Sequence, residues 1–154
     1  MFFMQEGITK FVCIESPYKG KNEEETLRNM RYARACVRDC VLNKDISVAS
    51  HLYYTQPGIL DDNIQGERKK GMEAGWKMFE LLGDVNNLPQ IPFEGVSRAY
   101  IDLGISSGME KGLEIARKYG LKIEQKSLGE NWEREFLEHE KNHSQCKLWG
   151  IYNF

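Results

Sequence analysis

The chain has no surplus of positive charge. Lys and Arg number 21 against 23 Asp and Glu, a formal net charge of -2. This excludes a general nucleic-acid binder, whose phosphate contacts need a basic face. No apolar run approaches the roughly 18 residues of a membrane span, so no membrane partner is expected. Residues 1–6, MFFMQE, lack the basic and apolar regions of a signal peptide. Prolines are few, at 4, and the 14 glycines are ordinary in number, which sets aside collagen-like and linker-like chains. None of the four cysteines, Cys13, Cys36, Cys40 and Cys146, forms a C-x-x-C pair. Cys36 and Cys40 are four apart and share a helix face, and with no secretory signal we read them as buried free thiols. His139 and His143 are also four apart, with Cys146 beyond them. We read them as a solvated helix end, so neither a metal nor a cofactor is expected.

What is present suits one ordinary globular domain spanning residues 1–154. Hydrophobic residues make up 41% and charged residues 29% of 154, enough for a real core. Residues 10–15, K-F-V-C-I-E, form a short run of β-formers and predict a first strand. A helix follows from Asn22 to about Leu42, with Asn22 as cap and Glu25 three positions on. Residues 46–54 predict a second strand, or a strand running into a loop. Asp61, Asp62 and Asn63 offer a cap for a second helix over 64–82. Gly71 and Gly75 lie one turn apart in it, and each costs roughly 1 kcal/mol relative to Ala. Such a helix needs close approach, and packing is favoured over ligand contact as the reason. Residues 83–97 look irregular, which suggests a lid, an insertion or a partner contact. Residues 98–103 predict a strand, 109–119 a helix stopped by Gly120, and 121–126 a further strand. Ser127 and Glu130 frame a capping box for a last helix to about His143, with Trp132 and Phe136 inward. The apolar, aromatic tail of residues 147–154 must pack somewhere.

Strands alternate with helices throughout. That order predicts an α/β, Rossmann-like fold of flavodoxin-like order, a parallel sheet with helices on both faces. In such sheets ligands sit at the carboxyl ends of the strands. Three loops would meet there, at residues 16–20, 54–63 and 104–110.

The sharpest motif is residues 104–112, G-I-S-S-G-M-E-K-G. A strand ends, small residues turn and a helix begins, so amides at Ser106, Ser107, Gly108 and Met109 can bind an anion or a polar sugar. Glu110 in the first turn is either a dipole-friendly surface acid or a carboxylate able to attack a sugar carbon. Asp102, near the end of its strand, is a second carboxylate at the same rim. A buried strand carries no Asp without a partner or a purpose. Asp61 and Asp62 add acids to the neighbouring loop, and Arg68 could hold a phosphate or pair with these acids. Ser16, Pro17 and Tyr18 close the first strand, where Tyr18 could stack on a base. His51 is more readily a satisfied core histidine than a functional one.

S-P-Y after the first strand, D-D before a helix with E-R, and G-M-E-x-G after a later strand resemble the nucleoside 2-deoxyribosyltransferase-like superfamily. The run S-H-L-Y-Y-T-Q-P-G-I-L-D-D-N, with D-L-G-I-S-S-G-M-E-K-G, is similar to a branch of it found in phages and bacteria. The resemblance spans roughly residues 10–125. It implies that Glu110 takes up the deoxyribosyl group, that Asp102 assists as acid or base, and that Ser16, Pro17 and Tyr18 line a nucleoside pocket. Asp102 departs from the family pattern in its spacing to Glu110, and Ser16 stands where the family has Gly. The resemblance further implies a homo-oligomer in which a neighbour's tail completes the pocket. The expectation is therefore a cytoplasmic binder of a nucleoside or nucleotide-derived molecule, in the host cytoplasm if phage-encoded. It would be a nucleoside deoxyribosyltransferase or N-glycoside hydrolase. The alternative is a non-catalytic phage-type binder that sequesters a nucleotide immune signal.

Overall fold

The computed structural model describes residues 7–143. The elements run β1 (Thr9–Glu15), α1 (Glu23–Leu42), β2 (Ile46–Val48), α2 (Ser50–Tyr53), α3 (Gln65–Asn86), β3 (Phe93–Tyr100), α4 (Ser107–Lys118), β4 (Lys122–Lys126) and α5 (Trp132–Asn142). The four strands are all parallel, in the order β2-β1-β3-β4. This is the α/β, Rossmann-like arrangement expected from the alternation of elements, in flavodoxin-like order.

Alternation along β1 separates the two faces of the sheet. Val12 and Ile14 join Tyr32, Cys36 and Cys40 of α1, Val96 and Tyr100 of β3, and Trp132 of α5 in one core. Cys13 turns the other way and packs with Phe79 and Leu82 of α3, Ala116 of α4 and Leu121. The same alternation puts Glu15 on the α3–α4 side. The cysteines at 13, 36 and 40 are buried free thiols, and Cys146 lies outside the described residues.

Local chemistry explains where the helices begin. The Asn22 side chain accepts the Glu25 N–H at 2.8 Å, and the Glu25 carboxylate accepts the Lys21 N–H at 3.1 Å. At α4, Ser106 Oγ accepts the Met109 N–H at 3.2 Å. Gly104 and Gly120 flank this helix with positive φ values of 81° and 79°, where a side chain would be strained.

Five expectations are corrected. The second strand stops at Val48, and residues 50–53 form a one-turn helix whose Ser50 lies against α3. Asp61, Asp62 and Asn63 do not cap α3, which starts after Ile64 without a side-chain cap. Asp61 instead accepts the Asn63 N–H at 2.9 Å. The irregular stretch shrinks to residues 87–92, because α3 runs on to Asn86 and β3 starts at Phe93. The Asn86 side chain bonds both the N–H and the carbonyl of Gly95, which ties the helix end to the strand. The third strand thus lies earlier than the predicted 98–103. Arg98 sits buried in it, because Asp45 at 3.1 Å and Glu124 at 2.8 Å neutralise its charge. Ser127 does not cap α5, which has no side-chain cap, but donates to Asp102.

Gly71 and Gly75 do serve close packing. A Cβ at Gly75 would stand 2.8 Å from Ser50 Oγ, and one at Gly71 3.3 Å from Leu60 Cδ1. Trp132 is buried and Phe136 packs beside it, as expected. His139 and His143 are exposed at the end of α5. The tail of residues 147–154 lies outside the described residues. Among the described residues no helix is long and apolar enough to cross a membrane.

Candidate ligand-binding pocket

The sheet order creates a crevice. From β1 the chain passes to α1 on one face, and from β3 to α4 on the other. Neighbouring strands whose exits diverge leave a gap at their carboxyl ends, the switch point where α/β sheets bind ligands. A cavity of about 200 Å³ opens there. This lies somewhat below the roughly 300–1,000 Å³ of drug-sized pockets.

All three expected loops contribute. From the end of β1 come Glu15, Ser16, Tyr18 and Lys19. From α2 and the loop after it come Ser50, His51, Tyr54, Thr55, Leu60 and Asp62. From α3 come Glu67 and Arg68 near the start, then Gly71, Met72, Gly75, Trp76 and Phe79, so the two glycines border the cavity as well as the packing. From the start of α4 come Ser106, Ser107, Gly108, Met109 and Gly112.

Most of the residues expected at the site converge on this cavity: Ser16, Tyr18, Asp62, Arg68, Ser106, Ser107, Gly108 and Met109. Arg68 lies 3.8 Å from Asp62, a loose pair at the mouth. Four do not converge. Pro17 is buried beside the cavity without lining it, Asp61 serves its own loop, and Glu110 is exposed on α4.

Asp102 faces elsewhere. Its carboxylate accepts the Tyr32 hydroxyl at 2.6 Å, the Ser127 hydroxyl, and the N–H groups of Leu128 and Gly129. Burial alone would raise its pKa, but these donors outweigh burial and hold it below the usual carboxylate value. Its lone pairs are spent on joining α1 to the loop before α5. Asp102 was expected at the rim as acid or base; it does not line the cavity, and its oxygens are bonded away from it.

Two residues in the cavity were not expected to carry function. His51 Nε2 lies 2.7 Å from Ser16 Oγ, with Tyr18 edge-on at 6.1 Å between ring centroids. Burial pushes the His51 pKa down to about 4, so the ring is neutral at pH 7. Burial likewise pushes the Glu15 carboxyl up to about 8. The signal for Glu15 was present: a carboxylate ending a strand of β-formers must be solvated, paired or purposeful.

Fold and cavity together define an α/β, Rossmann-like protein with an open cavity at its switch point. A family model described as "Domain of unknown function (DUF7768)" matches residues 10–88, just over half of the chain, and the chain belongs to that family. No curated protein and no solved structure matches it.

Proposed function

We propose that the chain binds a nucleoside or nucleotide-derived molecule in this pocket. The observation that supports the reading is the meeting of three chemistries in one cavity. Tyr18 and Trp76 offer rings to a base. The first-turn amides of α4, with Lys19 and Arg68, offer an anion site. Polar groups at the end of β1 offer hydrogen bonds to a sugar. The earlier resemblance to nucleoside 2-deoxyribosyltransferases points to the same ligand class.

Holding is favoured over turnover. Glu110, the nucleophile that the resemblance implies, is exposed and does not line the cavity. The proposed role is thus to retain a ligand, as in sequestration of a nucleotide signal, in the cytoplasm where free thiols stay reduced. A homo-oligomer remains part of the proposal, resting on the aromatic tail.

The test is a thermal-shift screen with nucleosides, nucleoside monophosphates, NAD and cyclic nucleotides, followed by heat release and chromatography of the bound compound. A shift with intact release supports the reading. Release of free base overturns holding in favour of N-glycosidic cleavage, and no shift overturns the pocket. Gly108→Val is the control. A Cβ there meets nothing nearer than Ser106 Oγ at 3.9 Å, so the fold tolerates it. We expect it to abolish the shift while leaving the unliganded melting temperature within a few degrees, since Val is no poorer a helix former than Gly.

A further inference from the structure

Glu15 ends β1 with its carboxyl at the floor of the cavity. α4 makes room for it, because a Cβ at Gly112 would stand 2.7 and 2.8 Å from its two oxygens. No hydrogen bond or ion pair reaches the carboxyl from the described residues. Its polar neighbours are engaged elsewhere. Ser16 and His51 bond each other, and Arg68 lies toward Asp62. A half-buried carboxyl with two open oxygens needs donors from water or from a ligand, and a ligand that fills the cavity must replace that water with donors of its own.

Two kinds of ligand could do so, a cation or a pair of hydroxyls. The cavity already presents Lys19, Arg68 and the positive end of α4, which attract an anionic ligand and disfavour a cationic one. Neighbouring hydroxyls on one ring match the two oxygens of a carboxyl, as an acidic residue at a strand end meets ribose in dinucleotide-binding folds. We propose that Glu15 reads the sugar: it binds the 2′- and 3′-hydroxyls of ribose, so the pocket takes ribonucleosides or ribonucleotides in preference to 2′-deoxy compounds. This rests on the pocket reading above and selects the opposite sugar from the one the resemblance implies.

The experiment is titration calorimetry with the four ribonucleoside 5′-monophosphates and their 2′-deoxy counterparts, on the wild type, Glu15→Gln and Gly112→Ala. Glu15→Gln keeps the shape and replaces an acceptor oxygen with a donor NH₂. Gly112→Ala displaces the carboxyl without changing it. The wild type should bind its best ribonucleotide about tenfold more tightly than the deoxy form, the scale of one hydrogen bond. Both variants should bring that ratio close to one, chiefly by weakening the ribonucleotide, while the deoxy form loses only the contact through its 3′-hydroxyl. Equal affinity for the two series in the wild type overturns the sugar assignment but leaves the pocket standing. A preserved ratio in Gly112→Ala, or in a folded Glu15→Gln, overturns the role of Glu15. Binding of none of the eight compounds overturns both readings. If Glu15→Gln fails to fold, Gly112→Ala decides.

Discussion

Burial raises the pKa of Glu15 from 4.5 to about 8, while the same cavity lowers that of His51 from 6.5 to about 4. The two act on stability in opposite directions. Between pH 4.5 and 8 the native state holds the Glu15 proton more tightly than the unfolded chain, so this group removes stability as pH rises. His51 adds stability as pH rises from 4 to 6.5 and is then spent. From about 6.5 to 8 only Glu15 of this pair is active. Urea unfolding of the wild type should therefore show a fall in stability over that window, and Glu15→Gln should flatten it. Equal slopes in the two proteins would show that Glu15 is ionised throughout. The residue scale is also where the sequence misled. Asp102 and Glu15 both follow runs of β-formers, and the same argument applied to each: a buried acid needs a partner or a purpose. Asp102 found partners in Tyr32, Leu128 and Gly129, which are 70, 26 and 27 residues away. Glu15 found none among the described residues. Partners so distant in the chain are supplied by the fold and leave no local trace.

Among the elements, those with local signals were legible and those decided by distant contacts were not. α1 and α4 carry their caps beside them, in Asn22 with Glu25 and in Ser106 with Met109. β3 is interrupted by Gly95, Ser97 and Arg98, and pairing on both sides by β1 and β4 makes it an interior strand. The start of α5 was misread because Ser127 was assigned to a cap. Ser127, Leu128 and Gly129 instead donate to Asp102, which pins the loop before α5 to the end of β3 and to α1. Asp102→Ala would leave these donors and the Tyr32 hydroxyl without their acceptor, at a cost of about 2–3 kcal/mol. Chemical denaturation should register this loss while ligand affinity stays within about twofold of the wild type, less than one neutral hydrogen bond. A stable variant that had lost binding would return Asp102 to the site.

At the scale of the whole molecule, the alternation of strands and helices was enough to place the cavity at the carboxyl ends of the strands. A parallel sheet with two covered faces leaves few other places for a pocket. The proposed oligomer belongs to this scale. Leu148, Trp149, Ile151, Tyr152 and Phe154 in the tail are large and apolar or aromatic. Each gains roughly 1.5–3 kcal/mol on burial if it is aliphatic or Phe-sized. Light scattering should give a mass above 17.9 kDa for the full chain and a smaller one after deletion of residues 148–154. A full-length monomer at micromolar concentration would refute the oligomer.

The family match ends at residue 88, yet the pocket does not. Glu15, His51 and Arg68 fall inside the matched stretch, whereas Ser106 to Met109 and Gly112 lie beyond it. The two stretches meet across residues 87–92, which carry none of the cavity wall. On the proposed reading, a relative can inherit Glu15, Lys19 and Arg68 while exchanging the α4 amides that complete the anion site. Chimaeras joined in that connection would keep the proposed sugar contact of Glu15 while replacing the α4 part of the proposed anion contact.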